Sequence, residues 1–86
     1  MANRQSNSPE RTYRVGNVSA SIFVNETGSG RNRRDFRSVT LQKSYLDGDE
    51  RKYTGSLNLG DLPNAIRVLQ LASNHVEREE ADVTQG

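Results

Sequence analysis

A run in which apolar and polar residues alternate constrains this chain more than any other feature. Val18, Ala20, Ile22 and Val24 fall on every second position, with Phe23 among the polar residues between them. A period of two is typical of a β-strand that buries one face. We therefore expect this strand to pack its valine and isoleucine face on a core and to leave Phe23 on the other face.

Three further segments complete the predicted sheet. A second alternating strand covers 38–45, and the Asp47-Gly48 pair after it is a strong hairpin signal. A third run covers 51–59, in which Gly55 predicts a kink and 57–59 a short last strand. In the second strand Val39 and Leu41 are expected to face the core, and Lys43 and Tyr45 continue that inward phase.

Two features of the connections are expected to be irregular. The apolar phase changes between Val15 and Val18, and a bulge at Gly16 is the simple interpretation, since one extra residue reverses the faces. The segment 25–35 contains two glycines and several arginines, which predicts a long, mobile hairpin connection.

An amphipathic helix is predicted after the sheet, with Asp61 as its N-cap and Pro63 in its first turn. One apolar stripe with helical spacing contains Leu62, Ala65, Ile66, Leu69, Ala72 and Val76. Val68 and Leu71 widen it into a second face, which we assign, with His75, to a dimer interface; broad contact with one strongly curved sheet is the alternative. The predicted fold class is α+β: a curved four-stranded antiparallel sheet followed by one C-terminal helix (β-β-β-β-α), in a homodimer.

The chain has 86 residues, which is enough for one domain with a thin core. We expect a disordered polar tail over 1–11, the folded domain over 12–78 and a frayed end over 79–86. There is no Cys, no apolar run of membrane-spanning length and no apolar signal core. These features predict a cytoplasmic protein without disulfides and without membrane association.

Charge is distributed unevenly along the chain. The segment 1–53 holds ten Lys or Arg against six Asp or Glu, whereas 54–86 holds two against five. The densest basic run is 31–37, and it predicts a patch that contacts phosphates. A solvated loop whose arginines only keep a hairpin soluble remains the alternative.

The residue types that carry most enzyme chemistry are missing. The single His, His75, lies in the predicted helix without a matched set of metal ligands. The stretch 28–30 lacks the Gly-Lys-Ser/Thr ending of a phosphate loop, and one His on a helix does not make a catalytic triad. We expect no enzyme activity, no metal, no cofactor and no small-molecule substrate.

The order of motifs resembles the positive cofactor four family of single-stranded DNA-binding transcriptional coactivators. The motifs are Val-Gly-Asn-Val at 15–18, Ser-Val-Thr-Leu at 38–41, Tyr-Leu-Asp at 45–47 and Gly-Ser-Leu-Asn-Leu at 55–59 before a helix. The resemblance covers about 13–76, extends to bacterial and phage relatives and includes the related whirly fold. It implies a homodimer, built partly by the helices, with curved sheets that bind single strands.

By position, the resemblance places Tyr45 where the family has a base-stacking aromatic and Arg51 where a basic residue opens the third strand. Asn17 and Ser19 stand where the family often has basic residues. The prediction is non-enzymatic binding of single-stranded DNA or RNA, in transcription, replication or repair. The expected binding residues are Tyr45, Arg51, Lys43, Lys52, Phe23, Tyr53, Arg34 and Arg37.

The alternative function is a protein-interaction or dimerisation module whose basic loop only aids solubility. Aromatic residues are favoured in strands for packing alone, so Tyr45, Tyr53 and Phe23 do not by themselves separate the two functions.

Overall fold

A computed structural model describes residues 8–80 of the chain; the outer parts of the predicted tail and frayed end, 1–7 and 81–86, lie outside the described residues. The described part contains four strands and one α-helix: β1 (Arg11–Val15), β2 (Val18–Thr27), β3 (Arg34–Asp47), β4 (Glu50–Thr54) and α1 (Leu62–Glu80). The strands form one antiparallel sheet in the order β1-β2-β3-β4. The α+β class with four strands and a C-terminal helix is confirmed.

The phase change before Val18 comes from a hairpin, and the predicted bulge is wrong. Val15 and Val18 are cross-strand partners, joined by the two-residue turn Gly16-Asn17. Gly16 has φ +63°, a conformation that a two-residue turn needs and that glycine adopts without steric cost. The segment before Val18 is therefore a strand of its own, and the sheet gains its first strand there.

The other connections follow the predicted turns more closely. β3 and β4 are joined at Gly48-Asp49, as the Asp-Gly signal predicts. Between β2 and β3, a short connection over 28–33 contains one turn of 3₁₀-helix at Gly30–Asn32, because both strands extend further than predicted. The predicted last strand at 57–59 is wrong: β4 ends at Thr54, and Leu59–Asp61 forms a 3₁₀ turn that leads into the helix.

The core lies between β2 and α1. Val18, Ala20 and Ile22 have no exposed surface, which confirms the predicted inward face of the first alternating run. The helix residues packed against them are small or short: Ala65, Val68 and Ala72 are also buried. Tyr13, Val15, Leu41, Leu57 and Val76 surround this cluster and are partly buried.

The helix presents a different face to the sheet from the one predicted. Val68 lies in the chain's own core and His75 is buried, so neither is available as a dimer-interface residue; Leu71 is partly buried. The larger residues of the predicted core stripe point outward instead, with Ile66 58% exposed and Leu69 41% exposed. The two apolar faces exist, but the small residues take the inner face because they allow α1 to approach the branched side chains of β2 closely.

The folded part is longer at both ends than the predicted 12–78. At the N-terminal end, the Glu10 backbone N–H donates to the Ile22 carbonyl at 2.6 Å, and β1 starts at Arg11. At the other end, α1 continues through Glu79 and Glu80. No helix within the described range 8–80 is long and apolar enough to cross a membrane.

Candidate nucleic-acid interface

The sheet has one face covered by α1 and one face that no described element covers. Cross-strand partners share a face, so the pairing assigns every strand residue to one side. The uncovered side, called the open face below, consists of Thr12, Arg14, Ser19, Ser21, Phe23, Asn25, Thr27, Arg34, Phe36, Ser38, Thr40, Gln42, Ser44, Leu46, Arg51 and Tyr53.

The strand carboxylates lie on one face only, whereas basic strand residues occur on both faces. The open face carries Arg14, Arg34 and Arg51 and no strand carboxylate. The strand carboxylates all lie on the side of the helix, at Glu26, Asp35, Asp47 and Glu50. The open face is therefore positive, and its remaining residues are mainly hydroxyl and amide side chains that can hydrogen-bond to a ligand.

The pairing divides the predicted binding residues into two groups. Tyr45 pairs with Lys52, whereas Arg51 pairs with Leu46, so Tyr45 and Arg51 lie on opposite faces of the sheet. They do not form one joint site, because neighbouring positions of a strand point to opposite sides. The open face holds Arg51, Phe23, Tyr53 and Arg34, and the helix side holds Tyr45, Lys43, Lys52 and Arg37.

The two lysines on the helix side are engaged within the chain. Lys43 forms an ion pair of 2.7 Å with Asp61, and Lys52 forms one of 2.9 Å with Asp47. The Lys43 side chain, aided by the Asn58 backbone N–H, holds the pKa of Asp61 below its usual range. The Lys43 pair is largely shielded from solvent and fixes the start of α1 to the sheet, whereas the Lys52 pair is exposed at the surface.

Arg37 belongs to a cluster that joins the sheet, the N-terminal segment and the end of α1. Its guanidinium donates twice to Glu10, at 2.9 and 3.0 Å, and its backbone N–H donates to Glu80 Oε2 at 2.6 Å. His75 Nε2 lies 2.6 Å from Glu10 Oε2, and Glu79 is 3.9 Å from Arg37. Hydrogen bonds from Arg37 and His75 lower the pKa of Glu10 to about 2.

The arginines on the open face are free of carboxylates. Arg14 and Arg34 form no ion pair within residues 8–80, and Arg51 donates one hydrogen bond of 3.2 Å to the Ser44 hydroxyl. Of the basic run 31–37, Arg33 is paired with Glu26 at 3.1 Å and Arg37 lies on the helix side. Of the arginines in that run, strand pairing places only Arg34 on the open face.

A pocket of about 430 Å³ opens on this face near the β1–β2 turn. It is called the arginine pocket, and its lining residues are Arg14, Gly16, Asn17, Ser19, Ser44, Arg51 and Tyr53. The sequence reasoning missed Arg14. The signal for it was present, because Tyr13 and Val15 both face the core and the residue between them must point the other way.

Three aromatic side chains accompany the arginines on the open face. Tyr53 is 56% exposed and Phe36 46% exposed, and Phe23 is half-buried. Phe23 faces Ser38, so Phe36 is its diagonal neighbour on β3. Phe36 was not among the predicted binding residues, although it lies within the basic run. Along β3 the open face extends from Arg34 to Leu46, roughly 40 Å at about 3.3 Å per residue.

Residues 8–80 contain no cluster of His, Asp or Glu side chains that could hold a metal ion. The only histidine is already in contact with Glu10 and packs edge-on against Tyr13, with ring centroids 6.4 Å apart. Among the described side chains, none of the buried polar atoms lacks a hydrogen-bond partner.

No protein-family model, curated protein or solved structure matches the chain. The likeness to the positive cofactor four family thus stays a prediction from the sequence motifs.

Proposed function

We propose that this protein binds single-stranded nucleic acid on the open face of its sheet, without catalysing a reaction on it. The observation that carries the proposal is that Arg14, Arg34 and Arg51 lie on the open face without a strand carboxylate, whereas the helix side balances its basic residues with all the strand carboxylates. Guanidinium groups on a face without carboxylates attract a polyanion, and each phosphate contact releases a counterion.

The aromatic side chains favour a single strand over a duplex as the ligand. Phe36 and Tyr53 are about half exposed on the same face as the arginines. An exposed ring can stack on an unpaired base, which contributes about 1–3 kcal/mol per base and tolerates any sequence. Bases in a duplex are already stacked on one another, so these rings cannot stack on them and contribute little to duplex binding.

The hydroxyl and amide groups between the arginines support binding without strong sequence preference. Ser21, Ser38 and Thr40 lie in the middle of the open face. Such groups hydrogen-bond to phosphate and sugar oxygens, and those contacts position a strand without reading its bases.

The outer surface of α1 favours a second candidate function, self-association. Leu62, Ile66 and Leu69 are exposed at spacings of four and three residues, and Leu59 is 84% exposed beside them. This spacing forms one apolar seam along the helix, which we call the outer helix face. A second copy of the same chain fits it, because two such seams bury each other around a two-fold axis. We include a homodimer in the proposal on this ground.

The test uses two neighbouring residues of β4 that lie on opposite faces. Labelled oligo-dT is titrated with the parent, Arg51→Gln and Lys52→Gln over a range of salt concentrations. Arg51→Gln should bind more weakly and lower the salt slope by about 0.7, the value for one phosphate contact on a single strand. Lys52→Gln removes the same charge from the helix side and should bind like the parent.

The same titration with a duplex of equal length completes the test. The parent should bind oligo-dT more tightly than the duplex at every salt concentration. Equal losses in Arg51→Gln and Lys52→Gln, or no difference between the single strand and the duplex, would show that the open face is not a specific binding surface.

A further inference from the structure

We infer that the arginine pocket is a site for the phosphorylated end of a nucleic-acid strand. The inference rests on the proposed function and adds a position and a preferred ligand group to it. Arg14 from β1 and Arg51 from β4 reach the same pocket from opposite edges of the sheet. The lining contains no carboxylate, so nothing in the pocket neutralises the two guanidinium groups.

The charge of the pocket matches a terminal phosphate better than an internal one. A phosphate monoester carries about −1.5 to −2 charges at neutral pH, whereas an internal phosphodiester carries one. Two guanidinium groups can each form charge-assisted hydrogen bonds with a monoester, which presents three terminal oxygens. The pocket thus provides two positive charges for a group with about two negative charges.

The remaining lining residues fit the nucleotide to which such a phosphate is attached. Tyr53 offers an exposed ring on which the terminal base can stack. Ser19 and Ser44 contribute hydroxyl groups, and the Ser44 hydroxyl already accepts a hydrogen bond from Arg51 at 3.2 Å. A volume of about 430 Å³ lies within the range of 300–1,000 Å³ that is usual for small-ligand pockets.

The pocket also lies at one end of the open face, where the end of a bound strand would be expected. The pocket lies beside the turns that close one end of the sheet, whereas Arg34 and Phe36 lie towards the other end of β3. A strand whose last nucleotide occupies the pocket can continue along β3 towards Phe36. The open face then binds the body of the strand and the pocket binds its end.

The experiment compares oligo-dT of one length with a 5′-phosphate, a 3′-phosphate or hydroxyl groups at both ends, with the fluorophore on the opposite end. The parent should bind one of the phosphorylated forms about tenfold more tightly, as two charge-assisted hydrogen bonds allow. Arg14→Gln should remove this preference. Arg34→Gln, an equal charge change at the far end of the open face, should weaken all forms alike and keep the preference.

A competition experiment tests whether the preference arises from a pocket that accepts a phosphate monoester. Thymidine 5′-monophosphate in excess should abolish the preference of the parent and leave the binding of the unphosphorylated strand. Equal binding of all three strands by the parent would overturn the end site and leave the proposed function intact. An Arg14→Gln variant that keeps the preference would also overturn it, and a parent that binds none of the strands would overturn both proposals.

Discussion

A single carboxylate, Glu10, connects the two ends of the folded part. It accepts hydrogen bonds from Arg37 on β3 and lies 2.6 Å from His75 on α1. This role was not predictable from the sequence, because Glu10 falls in a polar segment that is typical of a disordered tail. Ion pairs between residues far apart in the chain leave no periodic pattern, so hydrophobic alternation cannot reveal them.

Glu10→Gln should lower the free energy of unfolding by about 1–2 kcal/mol at neutral pH, since it weakens charge-assisted hydrogen bonds to Arg37 and His75. The pKa of Glu10 is lowered by folding, so its contribution is complete above the ordinary value of 4.5 and is lost as the pH falls towards 2. The difference in free energy of unfolding between parent and variant should therefore shrink as the pH falls from 4.5 to about 2. Urea unfolding at a series of pH values measures it.

Glu77→Gln is the matched control, because Glu77 is an exposed residue of α1, two positions from His75, without an ion pair among the described residues. It should unfold like the parent. A Glu10→Gln variant as stable as Glu77→Gln at neutral pH would mean that the cluster does not stabilise the fold.

The two tyrosines beside the β3–β4 turn provide a residue-scale test of which face binds. Tyr53 lies on the open face, 56% exposed, and Tyr45 lies on the helix side, 40% exposed. Tyr53→Leu should weaken oligo-dT binding by about 1–3 kcal/mol with little change in salt slope, because a stacking platform is lost and no charge is removed. Tyr45→Leu should bind like the parent. The reverse order would place the site on the helix side.

The opposite orientations of Tyr45 and Arg51 could have been predicted from the turn between them. A two-residue Gly48-Asp49 turn makes Asp47 the partner of Glu50, and every later pairing follows from that register. The position of Arg14 on the open face could be predicted only by choosing a hairpin over a bulge at Gly16. The alternation of apolar residues is compatible with both.

At the scale of elements, the strands and the helix were largely predictable, and the side on which the helix packs was not. Both faces of α1 are apolar, and the hydrophobic residues with the largest side chains, Ile66 and Leu69, were expected inside. The packing between sheet and helix places them outside instead. Ile22 and Val18 fill the space between β2 and α1, and the small side chains of Ala65 and Ala72 accommodate them. Shape complementarity of this kind depends on two elements together and is not contained in the periodicity of one.

The two hairpin glycines provide a prediction about the turns. Gly16 and Gly48 both have positive φ, at +63° and +69°, so alanine should cost about 1–2 kcal/mol at either position. At Gly16 the added β-carbon would also lie 2.6 Å from Asn64 Nδ2, whereas at Gly48 it would meet no atom within 4 Å. Gly16→Ala should therefore be the less stable variant in thermal or urea unfolding.

Gly16→Ala is expected to be less stable than Gly48→Ala because the β1–β2 turn lies beside Asn64 of α1. Equal stability of the two alanine variants would show that Asn64 moves aside without cost and that the turn does not contact the helix closely.

At the scale of the whole molecule, the open face and the outer helix face lie on opposite sides and have opposite chemistry. One carries arginines and hydroxyl groups, and the other carries Leu62, Ile66 and Leu69. Dimerisation through α1 would therefore leave both open faces exposed. We propose that association and nucleic-acid binding are separable, which single substitutions can test.

Ile66→Glu should convert the dimer into a folded monomer, because it places a charge in the apolar seam at a side chain that is 58% exposed within one chain. Thr40→Glu introduces the same charge on the open face. It should remain dimeric and bind oligo-dT more weakly, since the added carboxylate repels phosphate. Sedimentation equilibrium and oligo-dT titration of both variants test the separation; a parent that sediments as a monomer would contradict the dimer.

The cluster around Arg37 has a practical consequence for handling the protein. The same arginine holds Glu10 near the first strand and Glu80 at the last turn of α1, so the chain enters and leaves the folded part at one corner. That corner is on the helix side of the sheet. A dye or a surface anchor placed beside Glu10 or Glu80 would therefore lie behind the sheet and leave the arginine-bearing surface facing away from the support.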